Sequence, residues 1–515
     1  MSLGKNPIFF SRVNLLGKNI SANLLSNVWL TILLLLVTPL YVWFLGIESY
    51  GLIGFYLSWV AILGVLDTSI SATTMREFSW LKAQPLEKKK IPGLLKSLES
   101  VYWAIIVVFG LGFLIGASIF GEDWFQTKDL EPELVRESMM LMAVSLVVQV
   151  PSGLYVSGLM GLQKQVECSG LLAFFGTLRA LGAIVVLWLI ASDIRLFFLW
   201  QIVVSSMQTG VIRWSLWKKV RVDGDQVRFS WETLKPIKGF AGGMLVVTVL
   251  SILMTQADKM ILSKMISLEI FGYYMLAWSV ASGLSRVVTP LTQAYYPRFT
   301  ELVATKDDIA LTKELRLASQ LTNVMIMPPA MLIGFLSKSI LFAWTGNLSV
   351  ADSAAPILSF MVVGTIMTSC SYPALTILFS KKQIKPVIIV NLVSLVVLLP
   401  LLIFAVIQFG VMGAVFIWGL YGLVLYISFQ VYGLREIHQV GFFSIMLRDF
   451  VAPGLASLAV ASMAGYWLGA VSGKITFVTL LSITLIVSWL TALLVCKDLR
   501  EIITRKSNWL IKTSL

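Results

Sequence analysis

The sequence predicts an all-α integral membrane protein that crosses the bilayer with about fourteen helices. Of its residues 57% are hydrophobic and only 13% are charged, and the mean hydropathy is +0.86. A soluble domain carries roughly a quarter charged residues because its surface faces water, so this surface faces lipid. In lipid, only helices and closed barrels satisfy the backbone polar groups. Long apolar runs such as Asn23–Leu45 lack the alternation of barrel strands and therefore predict helices.

Each apolar run is close to the roughly 20 residues that a helix needs to cross a bilayer core of about 30 Å. We number the predicted spans 1 to 14 in chain order. They are Asn23–Leu45, Tyr50–Ile70, Val101–Phe120, Met139–Leu159, Gly170–Ala191, Leu196–Leu216, Phe240–Leu262, Phe271–Thr292, Leu321–Leu341, Ala354–Leu375, Val387–Phe409, Met412–Val431, Phe450–Gly469 and Phe477–Val495.

Basic residues are concentrated on alternate connections between these spans. With a cytoplasmic N-terminus, the inside connections include the run Lys88–Lys90, the basic segment 217–239 and the C-terminal tail. The outside connections hold only Lys128, Arg136, Arg195, Lys264, Lys338 and Lys474. The positive-inside rule then places both termini in the cytoplasm and requires an even number of spans. The net charge of +13 is read as this topology signal and as attraction to anionic membrane lipids, rather than as a nucleic-acid-binding feature.

The two halves of the chain resemble each other weakly. When Asn23–Ser79 is aligned with Met244–Thr300, Glu48 meets Glu269 and Gly51 meets Gly272. In both copies a helix ends at a Glu-x-x-Gly turn and the next helix begins. The offset spans six predicted helices, which preserves membrane orientation and predicts a parallel internal repeat.

The sequence lacks the residues that histidine-based catalysis within the membrane and nucleotide hydrolysis need. The only histidine, His438, falls in a predicted cytoplasmic connection, and no GxxxxGK[ST] phosphate loop occurs. Cys168, Cys370 and Cys496 lack metal-ligand spacing. The sequence therefore predicts no catalytic residue, no metal site and no cofactor. We interpret the chain as a transporter driven by an H+ or Na+ gradient, the membrane potential or consumption of the product.

Charged residues inside predicted spans are costly and therefore need an explanation. Arg179 lies near the middle of helix 5, too deep for its side chain to reach the headgroups easily. Two interpretations follow: a water-filled, anion-facing role, or a structural ion pair. Asp258 and Lys259 lie toward the outer end of helix 7, where adjacent positions point about 100° apart, so they are not expected simply to neutralise each other. They are read either as functional groups or as packing charges near the interface.

Asp67 and Arg286 lie toward the inner ends of helices 2 and 8, at nearly matching places in the repeat. One interpretation is an ion pair that latches the inner side between the two halves; the other is that each side chain snorkels separately to the cytoplasmic headgroups. The positions of these charges also predict a central cavity lined by helices 1, 2, 7 and 8, with Arg179 contributed from helix 5.

Four pairs of short segments resemble the O-antigen or polysaccharide-repeat flippases of the multidrug/oligosaccharidyl-lipid/polysaccharide exporter superfamily. They are Leu45–Leu52 with Leu66–Ala72, Pro151–Tyr155 with Gly158–Lys164, Gln256–Leu262 with Phe271–Tyr274, and Pro290 with Tyr296–Phe299. Ser69 stands where the family usually carries Gly, two residues after the Asp. The resemblance covers roughly residues 10 to 435.

The resemblance implies two pseudo-symmetric six-helix lobes and two C-terminal helices. The corresponding domains are an N-terminal lobe at 1–216, a cytoplasmic linker at 217–239, a C-terminal lobe at 240–435, and helices 13–14 with the tail at 436–515. It also implies a flippase of the bacterial inner membrane that moves undecaprenyl-diphosphate-linked oligosaccharide repeat units by alternating access. Its partners would then be the lipid-linked oligosaccharide, membrane lipids, a polysaccharide polymerase and a chain-length regulator.

Under this interpretation Arg179, Lys259 and Arg286 bind the anionic substrate, while Asp67, Asp258 and Arg286 serve coupling or gating.

Two alternative functions remain. A drug/cation antiporter of the same superfamily would want exposed intramembrane carboxylates, whereas the cationic balance here suits a diphosphate better. A membrane enzyme of polysaccharide assembly would want large basic outer loops or a membrane histidine, and the longest outer loop, Gly121–Ser138, is short and acidic.

The latch interpretation predicts the outcome of charge reversal. Asp67→Arg or Arg286→Asp alone should impair export, and the double reversal should restore much of it, because the ion pair is rebuilt with opposite polarity. Even about 1.4 kcal/mol of bias changes the ratio of two conformations tenfold. Export of lipid-linked repeat units by cells carrying each variant measures this. A double variant no better than the worse single variant refutes the latch.

Overall fold

The computed structural model describes residues 7–84, 88–220, 228–234, 238–435, 442–468 and 473–501. Within these ranges the side chains of 7–22, 24, 65–70, 72, 83, 88, 233, 238–248, 251 and 442 lie outside the description. The described chain is helical almost throughout and holds no β-strand, which confirms the all-α prediction. His438 lies outside the described residues.

Each predicted span, as far as it is described, corresponds to part of one helix or to consecutive helices, and spans 1 and 2 both belong to α1. The α-helices are α1 Pro7–Ala83, α2 Ile91–Trp124, α3 Pro132–Gln149, α4 Ser152–Gly161, α5 Gln165–Leu189, α6 Ile194–Val220, α7 Trp231–Leu234, α8 Lys238–Met265, α9 Leu268–Thr305, α10 Asp308–Phe335, α11 Ser337–Thr345, α12 Leu348–Cys370, α13 Tyr372–Ser380, α14 Ile384–Phe409, α15 Val411–Arg435, α16 Phe442–Ile445, α17 Ala452–Leu468 and α18 Lys474–Val495. A short 3-10 helix at Lys88–Lys90 precedes α2, and a π-helix at Met446–Val451 joins α16 to α17.

In the described chain, eleven segments are long and apolar enough to cross a membrane, so this is a multi-pass membrane protein. One of them, Leu25–Gly64, covers predicted helices 1 and 2 together. α8 and α9, which contain predicted helices 7 and 8, are not among the eleven. The exact count of fourteen therefore stays a prediction.

The junction of helices 1 and 2 is a kink inside α1 rather than a loop. Gly46 adopts φ 79° and ψ 170°, a conformation that is essentially restricted to glycine. The two halves of α1 can therefore point in different directions without an intervening loop.

The two glutamates of the repeat hold the same loop, the one that joins α2 to α3. The Glu48 carboxylate accepts hydrogen bonds from the backbone N–H groups of Lys128, Asp129 and Leu130, at 2.9 to 3.1 Å. Lys128 Nζ in turn lies 2.7 Å from Glu269 Oε2, and this contact raises the pKa of Lys128. The repeat thus places two carboxylates on the loop that joins α2 to α3.

The two glycines of the repeat allow close backbone contact beside these glutamates. A Cβ on Gly51 would lie 2.9 Å from the carbonyl oxygen of Leu268, and a Cβ on Gly272 would overlap the carbonyl oxygen of Ile47. Only glycine fits at both positions, which explains the Glu-x-x-Gly pattern physically.

Several predicted spans are broken by short interruptions. Helix 4 divides into α3 and α4 at Pro151, and helix 10 divides into α12 and α13 just before Pro373, because proline cannot donate a hydrogen bond to the preceding turn. Pro39, Pro328 and Pro400 instead lie inside continuous helices. Some prolines within the predicted spans therefore interrupt the helix, whereas others lie within a continuous helix.

The glycines in the predicted helix 4 motif are packing positions. A Cβ on Gly158 would collide with Leu216, and one on Gly161 with the Met75 backbone and the Phe78 side chain. Lys82 Nζ also donates to the Leu162 carbonyl at 2.7 Å. The motif thus fastens α4 to the end of α1.

By its internal contacts the chain divides into two compact units, Met1–Gly272 and Tyr273–Leu515. α8 groups with the first unit, where it packs against α1 and where Trp124 Nε1 donates to Ser263 Oγ at 3.2 Å. The predicted division into lobes at 1–216 and 240–435, with the linker at 217–239 and the segment 436–515, stays a prediction.

The tight contact at Gly272 predicts a loss of stability for Gly272→Ala, since overpacking typically costs about 1–3 kcal/mol. Gly283→Ala in the same helix is the matched control, because a Cβ there meets nothing within 4 Å. Thermal unfolding of the purified protein should show a lower melting temperature for Gly272→Ala and an unchanged or higher one for Gly283→Ala. Equal melting temperatures for the two variants would contradict this role of Gly272.

Candidate functional site

Arg179 lies in the middle of α5 and faces a cavity within the first unit. The cavity has a volume of about 180 Å³. Its lining comes from both halves of α1 and from α3, α5 and α6: Leu30, Leu33, Leu34, Val37, Thr38, Tyr41, Tyr50, Ile53, Tyr56, Leu57, Gln149, Gly176, Arg179, Ala180, Phe197 and Gln201. The kink at Gly46 is what brings the two halves of α1 to the same cavity.

Among the described residues, only neutral groups hold the Arg179 guanidinium. One Nη donates to Gln208 Oε1 at 2.7 Å and to Ser205 Oγ at 3.2 Å. Its Nε is buried and has no hydrogen-bond partner among the described residues. No described carboxylate forms an ion pair with it, so the described structure does not support the structural-pair interpretation.

Two tyrosines flank the guanidinium and are themselves fixed in place. Tyr41 OH donates to the Ala180 carbonyl at 2.9 Å, and its ring packs edge-on against Phe197 with centroids 5.2 Å apart. Tyr56 OH donates to Gln149 Oε1 at 2.6 Å. The cavity thus combines one fixed cation, two oriented phenols and an apolar wall formed by the first half of α1.

This arrangement is suited to binding an anion. A guanidinium binds phosphate oxygens by charge-assisted hydrogen bonds, and unsatisfied donors such as Nε strengthen the preference for an added acceptor. The charged lining residue is a cation and the remaining lining is neutral. Among the described residues, no group of three or more His, Cys, Asp and Glu side chains is arranged to hold a metal ion.

Asp258 and Lys259 form a buried ion pair in α8. Lys259 Nζ lies 3.1 Å from both carboxylate oxygens of Asp258 and donates to the Thr255 carbonyl at 2.8 Å. The expectation that adjacent positions do not neutralise each other is wrong here, because the long lysine side chain folds back across the helix surface. Lys259 is only 1% exposed, so this arrangement does not present it to a ligand. Its substrate-binding role and the coupling role of Asp258 stay predictions.

The structure does not test the roles of the other two predicted site residues, Asp67 and Arg286. Arg286 is an exposed residue of α9 in the second unit. The side chain of Asp67 lies outside the described residues. Their latch, the binding or gating role of Arg286 and the contribution of helices 7 and 8 to a shared cavity therefore stay predictions.

A buried carboxylate network near the end of α6 was missed by the sequence analysis. Glu99 Oε1 accepts hydrogen bonds from Tyr155 OH at 2.7 Å and from Arg213 Nε, and Trp103 Nε1 donates to Tyr155 OH at 2.9 Å. Tyr155 belongs to the helix 4 motif, which was the available signal. Glu99 lies just before predicted helix 3 and so outside the spans, and Arg213 was set aside because it lies at the end of predicted helix 6.

A family model described as polysaccharide biosynthesis protein matches residues 16–303. A Shigella flexneri protein whose name provisionally assigns it to O-antigen transport is 21% identical over 388 residues, covering 73% of this chain and 87% of that protein.

Among solved structures, the lipid II flippase MurJ in an inward closed conformation matches with a TM-score of 0.70 at 14% identity, covering 95% of this chain and 99% of that one. An inward-facing multidrug transporter of the MATE family matches with a TM-score of 0.66 at 12% identity, covering 79% and 94%. A Pyrococcus furiosus transporter of the same superfamily, reported with reverse polarity of its binding pocket, matches with a TM-score of 0.56 at 12% identity, covering 80% and 95%. The fold is therefore that of MurJ and MATE transporters.

The cavity predicts that water reaches the middle of α5. Ala180 lines the cavity, whereas the adjacent Leu181 is 44% exposed and is absent from the lining. Ala180→Cys should react with a membrane-impermeant thiol reagent, and Leu181→Cys, at the same depth, only with a lipid-soluble one. The three native cysteines are buried and should stay silent. Labelling of Ala180→Cys by lipid-soluble reagents alone would show that the cavity is dry.

Proposed function

Because this chain belongs to the polysaccharide biosynthesis protein family, we propose that it is a flippase for undecaprenyl-diphosphate-linked oligosaccharide repeat units. It moves the repeat unit of O-antigen or a related polysaccharide across the bacterial inner membrane by alternating access and without nucleotide hydrolysis. Its known similarities are to transporters, and it is a multi-pass membrane protein. The inner-membrane location and the two cytoplasmic termini belong to the proposal and are supported by the distribution of basic residues.

The observation that carries the proposal is Arg179, a cation in a membrane-embedded cavity with no carboxylate partner among the described residues. A charge at the centre of a membrane helix costs at least about 2.5–3.5 kcal/mol on insertion scales, so it is retained for a purpose. A diphosphate supplies the missing negative charge and acceptors for Nε and the free Nη positions. The phenols and the amides of Gln149 and Gln201 are suited to hydroxyl and amide groups of a sugar.

The size and lining of the cavity support recognition of one part of the substrate. About 180 Å³ accommodates a diphosphate or a single sugar ring rather than a whole oligosaccharide. Under the proposal, the rest of the saccharide lies beyond this cavity, and the apolar wall from α1 faces the first carbons of the lipid. The same site then serves repeat units that differ in sugar composition but share the diphosphate.

The comparisons support the substrate class at the level of names. The Shigella flexneri relative is named for O-antigen transport, and MurJ is a flippase for lipid II. The similarity to MATE transporters keeps a drug/cation antiporter as the second candidate. An organic cation favours a carboxylate, whereas the charged group of this cavity is Arg179, so the anionic lipid fits the site better. The Pyrococcus furiosus transporter indicates that pocket polarity differs within the superfamily. A membrane enzyme of polysaccharide assembly is the distant alternative and lacks support from these relatives.

Arg179 variants test the diphosphate contact directly. Arg179→Ala and Arg179→Glu should lose export, because a hydrogen bond to a charged group is worth about 1.5–3 kcal/mol, or roughly ten- to 150-fold. Arg179→Lys should retain part of it as a point charge. Arg76→Ala, at a residue whose side chain is 61% exposed, is the matched control and should export normally.

The measurement is the leaflet on which lipid-linked repeat units accumulate in cells lacking the wild-type gene and carrying each variant at equal protein level. In cells without the protein, these units should accumulate on the cytoplasmic leaflet. Full export by Arg179→Ala would eliminate the proposed contact. Normal distribution of repeat units in cells without the protein would eliminate the proposed function itself.

A further inference from the structure

A second buried polar site lies in the second unit, where α10 packs against the π-helix Met446–Val451 and the chain after α18. Gln320 Nε2 donates one hydrogen bond to Asp449 Oδ1 at 2.7 Å and the other to Asp498 Oδ2 at 2.9 Å. Its Oε1 accepts from the Leu499 backbone N–H at 3.2 Å. The side-chain amide of Gln320 therefore holds the carboxylates of Asp449 and Asp498 side by side.

The buried oxygens of this site outnumber the donors that reach them. Asp449 is 1% exposed and Asn323 is 3% exposed, and Asn323 Nδ2 donates to the Asp449 backbone carbonyl. Asp449 Oδ2 and Asn323 Oδ1 have no partner among the described residues. Unpaired buried acceptors are costly, so the site lacks a donor.

The net charge of the site also indicates that a positively charged donor is missing. Asp449 faces Arg316 of α10, Asp498 after α18, Arg448 of its own segment, and the titratable side chains Tyr426 of α15 and Cys496. Arg448 is exposed, and Arg316 donates to Ser444 Oγ at 2.9 Å rather than to a carboxylate. Two close carboxylates with one nearby, partly buried cation, Arg316, leave a net negative charge at a buried site, which favours uptake of one positive charge.

We propose that Asp449 is a proton-binding site, with Asp498 as the second carboxylate that Gln320 holds beside it. A proton on Asp449 Oδ2 removes the excess charge and supplies the missing donor to the neighbouring acceptors. A metal cation is less suited, because it would lie near the Arg316 guanidinium and because no group of three or more His, Cys, Asp and Glu side chains among the described residues is arranged to hold one. The π-helix contributes by placing Asp449 against α10, and such segments occur often at functional sites.

This inference rests on the proposed function, since it assigns the ion of a gradient-driven transporter, and it gives α17 and α18 a part in energy coupling. Protonation of Asp449 would change the charge where α10, the π-helix and the end of α18 meet. Export should then depend on the transmembrane pH difference in the wild type and lose that dependence in Asp449→Asn.

Thermal unfolding of the purified full-length protein over a range of pH tests proton binding without any transport assay. The native state holds a proton that an ordinary carboxyl of the unfolded chain releases, so stability should fall as the pH rises. The wild-type melting temperature should therefore decrease from mildly acidic to mildly alkaline pH, and Asp449→Asn should show a flatter slope. Asp352→Asn, an exposed partner of Lys338, should keep the wild-type slope.

Equal slopes for the wild type and Asp449→Asn would overturn the proposal. So would stabilisation by Na+, relative to K+ at equal ionic strength, that Asp449→Asn abolishes, because the site would then bind a metal ion. If Asp449→Asn does not fold, Asp498→Asn decides: removing the second carboxylate should move the pH dependence to lower pH, and an unmoved profile overturns the site. An infrared band of a protonated carboxyl, lost in Asp449→Asn, would support it.

These readouts separate the two proposals. If the wild type shows the slope and Asp449→Asn does not, but repeat units cross the membrane normally in cells without the protein, the proton site stands and the flippase function fails. If export requires the protein but the slopes are equal, the flippase function stands and the proton site fails.

Discussion

The close backbone contact between the Gly46 kink and the start of α9 is the constraint on which the first unit depends. Gly51 and Gly272 let the backbones meet, and Glu48 ties the loop after α2 to the same place. Because the kink fixes the directions of both halves of α1, it also places Tyr41 and Tyr56 in the cavity that Arg179 lines. The shape of the cavity therefore depends on the conformation of Gly46 at the kink inside α1.

The described structure treats charges in its apolar interior in different ways. Lys259 and Asp258 neutralise each other within one helix, and Glu99 with Arg213 does so between two. Arg179 is held by neutral groups instead, and the carboxylate pair around Gln320 has too few donors. A buried charge that forms an ion pair is accounted for by its structural role. An unpaired buried cation and an unpaired buried anion each favour binding of a ligand of opposite charge. Under the two proposals these ligands are a diphosphate and a proton.

Interruptions of the helices lie in the elements that carry buried polar residues of the Arg179 cavity, the Glu99 network and the Asp449 site. Gly46 and Pro151 interrupt the elements that carry Tyr56 and Tyr155, and the π-helix carries Asp449. In lipid, an irregular backbone is tolerated only where protein groups satisfy it, as Asn323 does for the Asp449 carbonyl. At the π-helix, the break in the helical pattern therefore coincides with a buried polar side chain that supplies a missing hydrogen bond.

The sequence by itself determined that the chain is helical and spans the membrane. In lipid only helices and closed barrels satisfy the backbone polar groups, and the long apolar runs lack the alternation of barrel strands. It also identified Arg179 as exceptional, since a mid-span charge is visible in a linear pattern. The pairing of charges was decided only by the tertiary structure. Glu99 meets Arg213, and Gln320 meets Asp449 and Asp498, across long stretches of chain. A membrane helix is apolar on every side, so its hydropathy does not reveal its rotation, and packing alone decides which buried groups meet.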